Sequence, residues 1–317
     1  MTAKKAHKDK TVMKKNHLTF ACGLAAAVMG CASLGSHGVS ENSVRAILQS
    51  HSDPSDESGC AVILDLSNGE IIHSVSVGRA SAKDAFEVGG VVMPLTACIA
   101  LENGTAKIDT LFSSDCDRVK YPNLPNDGNH KWDAQMSGGD ALVKSSNVII
   151  GKIGAEIGKD ALAEGLRQFG LTRLAGECAC RWAVGHGVSS SVEDIARAYA
   201  VLANHGKKPW GEGRQIVKTE VADAVCKALE KVTTNEGTAK AAAVEGVKTA
   251  GKTATAQRMI DGVYAADKFN AVFAGFVPSG APRYVIVVRY ATGVCKRHLG
   301  GQRPAEAFAD IVRQLFK

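Results

Sequence analysis

Two strongly apolar segments near the carboxyl end limit the folds open to this chain of 317 residues. "FNAVFAGFV" (269–277) and "RYVIVVRY" (283–290) are apolar on both faces of an extended chain, so each should lie inside a sheet that is covered on both sides. Another extended segment, residues 247–257, precedes them, and a helix with one apolar stripe begins after them at Pro304. The chain must therefore build a central sheet and supply helices for its two faces.

The amino-terminal part of the folded region adds two strands to this sheet. "CAVILDL" (60–66) and "IIHSVSV" (71–77) flank the turn sequence "SNGE", which is typical of a hairpin. Helical periodicity and terminating glycines predict helices over residues 91–103, 140–157, 159–169, 190–206 and 219–232. This order predicts an α+β domain with a five-stranded antiparallel sheet, flanking terminal helices and an all-helical subdomain beside it.

The excess positive charge of the chain lies at its amino end. Residues 1–15 contain six lysines and one acidic residue, whereas the other 302 residues carry 32 basic and 31 acidic groups. A nucleic-acid binder is expected to carry its basic surface on the folded domain. The distribution therefore argues against a nucleic-acid partner.

The basic tail, residues 1–17, precedes the apolar segment "LTFACGLAAAVMGCASLG". Such an arrangement is typical of a targeting signal, and three interpretations stay open: a membrane anchor over residues 18–36, a cleaved signal peptide, or a lipoprotein signal with Cys31 as the lipidated residue. The lysines predict a cytoplasmic amino end and a main domain on the outer side of the inner membrane. Residues 37–58 are expected to form a linker or a short leading helix, and residues 59–317 the main domain.

The cysteines indicate no metal site. The chain has nine of them, and they lack the paired spacings of zinc sites. A disulfide between Cys116 and the Cys178–Cys180 region is possible if the domain is exported. Cys98 and Cys226 are expected to be buried apolar residues. No cofactor is predicted.

The order of several segments resembles the transpeptidase domain of the penicillin-binding proteins, closest to the class B type of cell division and elongation. The resemblance runs from about residue 60 to residue 316. It is carried by "AVILDLSNGEIIHSVS", "GRASAKDAFEVGGVVMPLTACIALENG", "LVKSSNVIIGKIGAEIG", "WAVGHGVSSSVEDIARAYAVLANHG" and "GTAKAAAVEGVKTAGKTATAQ". It implies the fold shared by serine β-lactamases and D,D-peptidases. Full class B proteins carry a further module before this domain, and the roughly 20 residues available here predict that this chain lacks it.

The resemblance also implies three active-site motifs. In S-x-x-K the serine attacks a D-Ala-D-Ala carbonyl and the lysine, one helical turn later, helps to take its proton. S-x-N and K-T-G hold the substrate, and the glycine of K-T-G lets its backbone approach closely. The second and third motifs correspond here to Ser145-Ser146-Asn147 and Lys252-Thr253-Ala254, which the resemblance makes candidate ligand-binding residues.

The first motif is degenerate in this chain. Gly90 stands at the serine position and Met93 at the lysine position. Neither a hydrogen atom nor a thioether can attack a carbonyl carbon or carry a proton at neutral pH. Thr96 lies six residues after Gly90, about 600° around a helix, and so faces elsewhere. No catalytic residue is therefore expected.

The resulting hypothesis is a non-catalytic transpeptidase-like domain of peptidoglycan synthesis or cell division. Its expected partners are peptidoglycan peptide stems, bound through Ser145, Asn147, Lys252 and Thr253 with Ala254 beside them, or other cell-wall and division proteins. Two alternatives stay open: an active D,D-transpeptidase or carboxypeptidase that binds penicillin, and a non-covalent sensor of wall fragments or β-lactams.

Overall fold

The structure is a computed structural model, and it describes residues 38–128, 132–294, 297 and 299–317. The predictions for the basic tail, for the anchor or signal over residues 18–36 and for Cys31 lie outside these ranges. Within them, no helix has the length and apolar character needed to cross a membrane.

The described residues form helices and strands in the following order. The helices are α1 (Glu41–Ser50), α2 (Met93–Glu102), α3 (Gly138–Lys144), α4 (Asn147–Ile157), α5 (Lys159–Gln168), α6 (Ala179–Trp182), α7 (Val192–Ala203), α8 (Thr219–Val232) and α9 (Arg303–Leu315). The strands are β1 (Asp56–Asp65), β2 (Glu70–Gly78), β3 (Phe86–Glu87), β4 (Leu111–Ser113), β5 (Gln135–Ser137), β6 (Arg173–Leu174), β7 (Val188–Ser190), β8 (Ala250–Ile260), β9 (Val263–Val277) and β10 (Tyr284–Gly293). Gly89–Val92 and Lys240–Ala242 are 3₁₀ turns.

The main sheet has five antiparallel strands, as the sequence predicts, and their order is β2-β1-β10-β9-β8. In the centre of the sheet, Val287 of β10 lies opposite Val62 of β1 and Ala274 of β9. All ten residues of β10 are buried. Because successive side chains of a strand point to opposite faces, both faces of β10 must be covered.

Two groups of helices cover the sheet. The terminal helices α1 and α9 contact each other, and between them they pack on β1, β2, β9 and β10. Helix α7 packs on β1, β9 and β10, and α8 packs on β8. Arg303 at the start of α9 forms a buried ion pair with Asp56 at the start of β1, with an Nη1–Oδ2 distance of 2.5 Å. This pair fixes the last helix to the first strand of the sheet.

Helix α2 forms the centre of the helical part of the fold. Every residue from Met93 to Ala100 is buried, and α2 packs against α4, α5 and α8. The predicted helical subdomain is therefore present beside the sheet, and it holds the amino end of α2 close to β8.

The helix predicted over residues 140–157 is broken in the structure into α3 and α4. Ser145 adopts a left-handed backbone conformation with φ of 60° and ends α3, and Ser146 caps α4 by accepting from the backbone N–H of Ile149. The Asp127 carboxylate also accepts from the backbone N–H of Asn147. The break depends on this residue from a distant segment, so helical periodicity alone did not reveal it.

Three short elements lie where the sequence showed little regularity. Helix α1 occupies part of residues 37–58, and β1 already begins at Asp56. Strands β4 and β5 pair across the polar segment of residues 105–137, which has no strand-like alternation. Helix α1 is the short leading helix that the sequence left open as one alternative for residues 37–58.

Candidate functional site

A cavity of about 610 Å³ lies where the amino end of α2, the α3–α4 break and strand β8 meet. The motif residues that line it are Gly90, Met93, Ser145, Asn147, Thr253 and Ala254. Lys252 is fully buried, and its amine contacts Ser145 at the cavity wall. The three separated segments of the sequence thus meet around one cavity.

Backbone packing fixes the 3₁₀ turn before α2. Gly89 has a positive φ of 59°, and a Cβ atom added at Gly185 would lie only 2.1 Å from the Gly89 carbonyl oxygen. Both positions therefore require glycine, for conformation and for space. The buried Tyr199 hydroxyl donates to the Val91 carbonyl at 2.8 Å and holds the other end of the turn. Gly90, which lines the cavity, therefore lies in a 3₁₀ turn that is held at both ends.

A side chain at position 90 would point at Lys252. A Cβ atom added at Gly90 would lie 3.6 Å from the Lys252 Nζ atom and 3.7 Å from the Met93 Cε atom. It would also lie 3.0 Å from the Thr253 carbonyl oxygen, so β8 would have to recede by a few tenths of an ångström. The position faces the amine, but glycine fits it best.

Lys252 is a buried lysine whose amine donates to the Ser145 Oγ atom at 2.6 Å and to the Thr253 carbonyl at 3.0 Å. Burial lowers its pKa to about 7, because a desolvated ammonium is disfavoured. Within the described ranges its Nζ atom forms no ion pair with an acidic side chain. A substantial fraction of Lys252 is therefore uncharged near neutral pH.

Met93 occupies the first turn of α2 and faces Ser145. Its side chain is 1% exposed, and its Sδ atom lies 3.7 Å from the Ser145 Oγ atom. The Thr96 hydroxyl donates instead to the Ala183 carbonyl at 2.9 Å and is buried. The first turn of α2 thus presents a thioether to the cavity, and Thr96 lies away from it, as its helical position predicts.

The α4 wall depends on Asp127, which sequence reasoning missed. Its carboxylate accepts from the Ser146 hydroxyl at 2.6 Å and from the Trp132 indole at 2.9 Å, besides the backbone at the start of α4. The Asn147 side chain donates to the Asn126 carbonyl at 3.0 Å. Asp127 lies in an irregular polar segment, so no periodic signal could have indicated it.

The β8 wall carries hydroxyl groups. The Thr253 and Thr238 hydroxyl oxygens lie 2.8 Å apart and share a hydrogen bond. Ala254 is buried beside them, and Glu236 completes this side of the cavity. Thr238 and Glu236 were not assigned from the sequence, although they belong to the segment leading into β8.

The arrangement provides hydrogen-bond donors and acceptors for a polar ligand. Its lining includes amide, hydroxyl, carboxylate and ammonium side chains, whereas positions 90 and 93 offer no oxygen or nitrogen side-chain atom. No group of three or more His, Cys, Asp or Glu side chains in the described ranges is arranged to hold a metal ion. The site is therefore suited to binding by hydrogen bonds.

The structure describes Cys116, Cys178 and Cys180 as free cysteines, so the disulfide left open by the sequence is not formed among them. Cys116 is exposed, and the Cys178 and Cys180 sulfur atoms lie 2.7 Å apart. Cys98 is fully buried, as expected of an apolar residue, and burial raises the pKa of its thiol.

Comparison with known proteins gives consistent matches. The chain is 26% identical over 300 residues to a probable peptidoglycan D,D-transpeptidase PenA of Neisseria gonorrhoeae, covering 81% of this chain and 51% of that protein. It is 24% identical over 301 residues to the peptidoglycan D,D-transpeptidase FtsI of Escherichia coli, covering 81% and 50%. The chain spans about half the length of these curated relatives.

A solved structure shows the same fold. The apo transpeptidase domain of Burkholderia pseudomallei penicillin-binding protein 3 superposes with a TM-score of 0.73 at 24% identity, over 86% of this chain and 91% of that one. The profile of the penicillin binding protein transpeptidase domain matches residues 59–313. This chain therefore belongs to the penicillin-binding protein transpeptidase domain family.

Proposed function

We propose that this chain is a transpeptidase-like domain of peptidoglycan synthesis or cell division that binds peptide stems without acylation. The family membership and the two relatives named as peptidoglycan D,D-transpeptidases support the process. The cavity geometry supports the loss of acyl transfer. The proposed ligands are the peptide stems of peptidoglycan, and other cell-wall or division proteins are proposed as partners.

The observation that carries this proposal is the environment of position 90. A side chain there would point at the Lys252 amine, yet the residue is glycine, and Met93 occupies the next turn. Acyl transfer of the serine type needs a nucleophilic oxygen at the attacking position and a base beside it. With a hydrogen atom and a thioether at these two positions, the covalent route has no first step.

The remaining polar groups support non-covalent binding. Asn147 and Thr253 expose an amide and a hydroxyl to the cavity, and Lys252 fixes Ser145 beside them. The Ala254 side chain is only a methyl group, so it leaves space for the backbone of a peptide to lie along this part of β8. These residues form the proposed ligand-binding set.

We also propose that the domain lies on the outer side of the cytoplasmic membrane. The support comes from the sequence: a basic amino end followed by the apolar residues 18–36. The anchor is either this segment or a lipid on Cys31. Protease accessibility of the tagged domain in spheroplasts tests the side, and mass spectrometry of the amino-terminal peptide tests lipidation.

One observation favours an active enzyme as the second candidate. The Ser145 hydroxyl lies 2.6 Å from the amine of Lys252, whose pKa burial lowers to about 7. A neutral lysine can take the proton of a serine hydroxyl, and the freed oxygen can attack a carbonyl. Against this candidate, Ser145 ends α3 and its hydroxyl faces the Met93 sulfur.

Covalent labelling separates the two candidates. The purified chain is incubated with a fluorescent penicillin, denatured and examined by gel electrophoresis. We expect no label on the wild type. Label on the wild type that disappears in Ser145→Ala would contradict the proposal and support the second candidate.

Restoring the missing groups tests the physical reason. The double variant Gly90→Ser/Met93→Lys should gain covalent label, because its new hydroxyl and amine meet beside Lys252. The matched control is Gly90→Ala/Met93→Lys, which adds the same Cβ atom near the Thr253 carbonyl without the hydroxyl. The control should stay unlabelled, and thermal unfolding of both variants shows whether the added Cβ atom is tolerated.

A further inference from the structure

A second cavity, of about 420 Å³, adjoins the first. Asn126 and Asn147 line both cavities, so a ligand can extend from one into the other past these two amide side chains. Asn123 contributes a third amide to the second cavity. The second cavity is thus a polar continuation of the proposed peptide-binding site.

The charged groups of the second cavity are of one sign. Arg118 and Arg181 line it, and no aspartate or glutamate does. Both arginines are exposed, and neither forms an ion pair with a residue in the described ranges. The cavity therefore offers two guanidinium groups that no acidic side chain of the described fold neutralises directly.

Two acidic groups next to residues that line the cavity are already engaged. The Asp127 carboxylate accepts from the Asn147 backbone and from the Ser146 hydroxyl. The Glu87 carboxylate is 9% exposed and accepts from the Tyr264 hydroxyl at 2.8 and 3.1 Å. It lies 3.8 Å from the Nδ1 atom of His186, which lines the cavity. Burial lowers the pKa of His186, so its ring adds no full positive charge at neutral pH. The arginines thus determine the sign of the cavity.

We propose that the second cavity binds an interior carboxylate of the peptide whose end occupies the first cavity. A guanidinium pairs with a carboxylate through two parallel hydrogen bonds, and a concave site of one sign concentrates ligands of the opposite sign. This inference rests on the proposed function, since it assigns a second contact to the same ligand. Arg118 and Arg181 select peptides with a free interior carboxylate over neutral ones.

Two peptides test the inference on the wild-type chain. Both end in D-Ala-D-Ala; one has a free carboxylate on an interior residue, and in the other that group is a carboxamide. Calorimetric titration should give about ten-fold tighter binding of the carboxylate peptide, as expected for one charge-assisted pair at a partly exposed site. Equal affinities would overturn the inference and leave the proposed function standing.

Arginine variants locate the effect. Arg118→Gln/Arg181→Gln should weaken binding of the carboxylate peptide about ten-fold and leave the carboxamide peptide unchanged. Arg167→Gln/Arg313→Gln changes the net charge equally at two exposed arginines outside the cavity and should keep the wild-type preference.

Two other results would overturn the inference. If Arg118→Gln/Arg181→Gln still prefers the carboxylate peptide, or if Arg167→Gln/Arg313→Gln loses that preference to the same extent, the carboxylate is recognised elsewhere. If neither peptide binds to the wild type at millimolar concentration, the proposed function fails together with the inference.

Discussion

The buried amine of Lys252 makes a quantitative prediction about stability and pH. Burial lowers its pKa from 10.5 to about 7. Between these two values the unfolded chain binds a proton that the folded chain does not. The unfolding free energy should therefore rise with pH by about 1.4 kcal/mol per unit across this window.

The sign follows from which state holds the charge. Above pH 10.5 the lysine is neutral in both states and its burial carries no ionisation penalty. As the pH falls toward 7, protonation of the unfolded chain destabilises the fold, by at most about 5 kcal/mol once the folded state also protonates. The unfolding free energy therefore falls as the pH is lowered from 10.5 to about 7, and it rises again when the pH is raised.

Lys252→Met isolates this contribution, because methionine fills a similar volume without a titratable group. Urea unfolding of both proteins at about pH 7.5 and about pH 9 gives the difference in unfolding free energy at each pH. From the lower to the higher pH, the unfolding free energy of the wild type should rise by about 2 kcal/mol more than that of the variant. Lys248→Met, which removes an exposed lysine, is the control for general charge effects. A difference between wild type and Lys252→Met that stays constant with pH would refute the buried neutral lysine.

Three further substitutions test the scaffold by urea unfolding. Gly154→Ala places a Cβ atom 2.3 Å from that of Ala183, the residue after α6, and forcing α4 away from α6 should cost about 2 kcal/mol, despite the better helix propensity. Asp127→Ala removes the acceptor for the start of α4 and should also cost about 2 kcal/mol, with a changed tryptophan fluorescence spectrum. Arg303→Met leaves the buried Asp56 carboxylate without its ion pair and should cost about 4 kcal/mol, less if Asp56→Asn is added.

Matched controls separate these effects from substitution in general. Gly138→Ala adds a Cβ atom at ordinary contact distance, 3.6 Å, and should change stability by less than about 1 kcal/mol. Asp109→Ala and Arg313→Met remove exposed side chains and should change it about as little. Losses in the controls as large as those in the test variants would show that the named contacts are not their cause.

Periodicity was sufficient to predict the central sheet. The two fully apolar strand segments could be buried only between covering layers, and the structure places them as β9 and β10 in the middle of five strands. The same reasoning predicted α8 over residues 219–232 with its bounds unchanged. These elements follow from local sequence, because the spacing of apolar residues alone identifies a buried face.

The α3–α4 break shows where that reasoning ends. The sequence predicts one helix over residues 140–157, yet the backbone turns left-handed at Ser145 and a new helix starts after Ser146. The carboxylate that stabilises the new start comes from Asp127, about 20 residues earlier, across an irregular segment. A contact between distant segments leaves no periodic mark in either of them.

The sequence by itself determined the α+β class, the strands and most helices, and the residues that stand at positions 90 and 93, because apolar spacing and residue identity are local properties. Only the tertiary structure decided that position 90 faces Lys252, that burial lowers the pKa of this lysine to about 7, and that Arg118 and Arg181 line one cavity beside Asn147. Desolvation and the convergence of side chains depend on which segments pack together in space. That packing is settled by the whole fold, and it gives the cavity its chemistry.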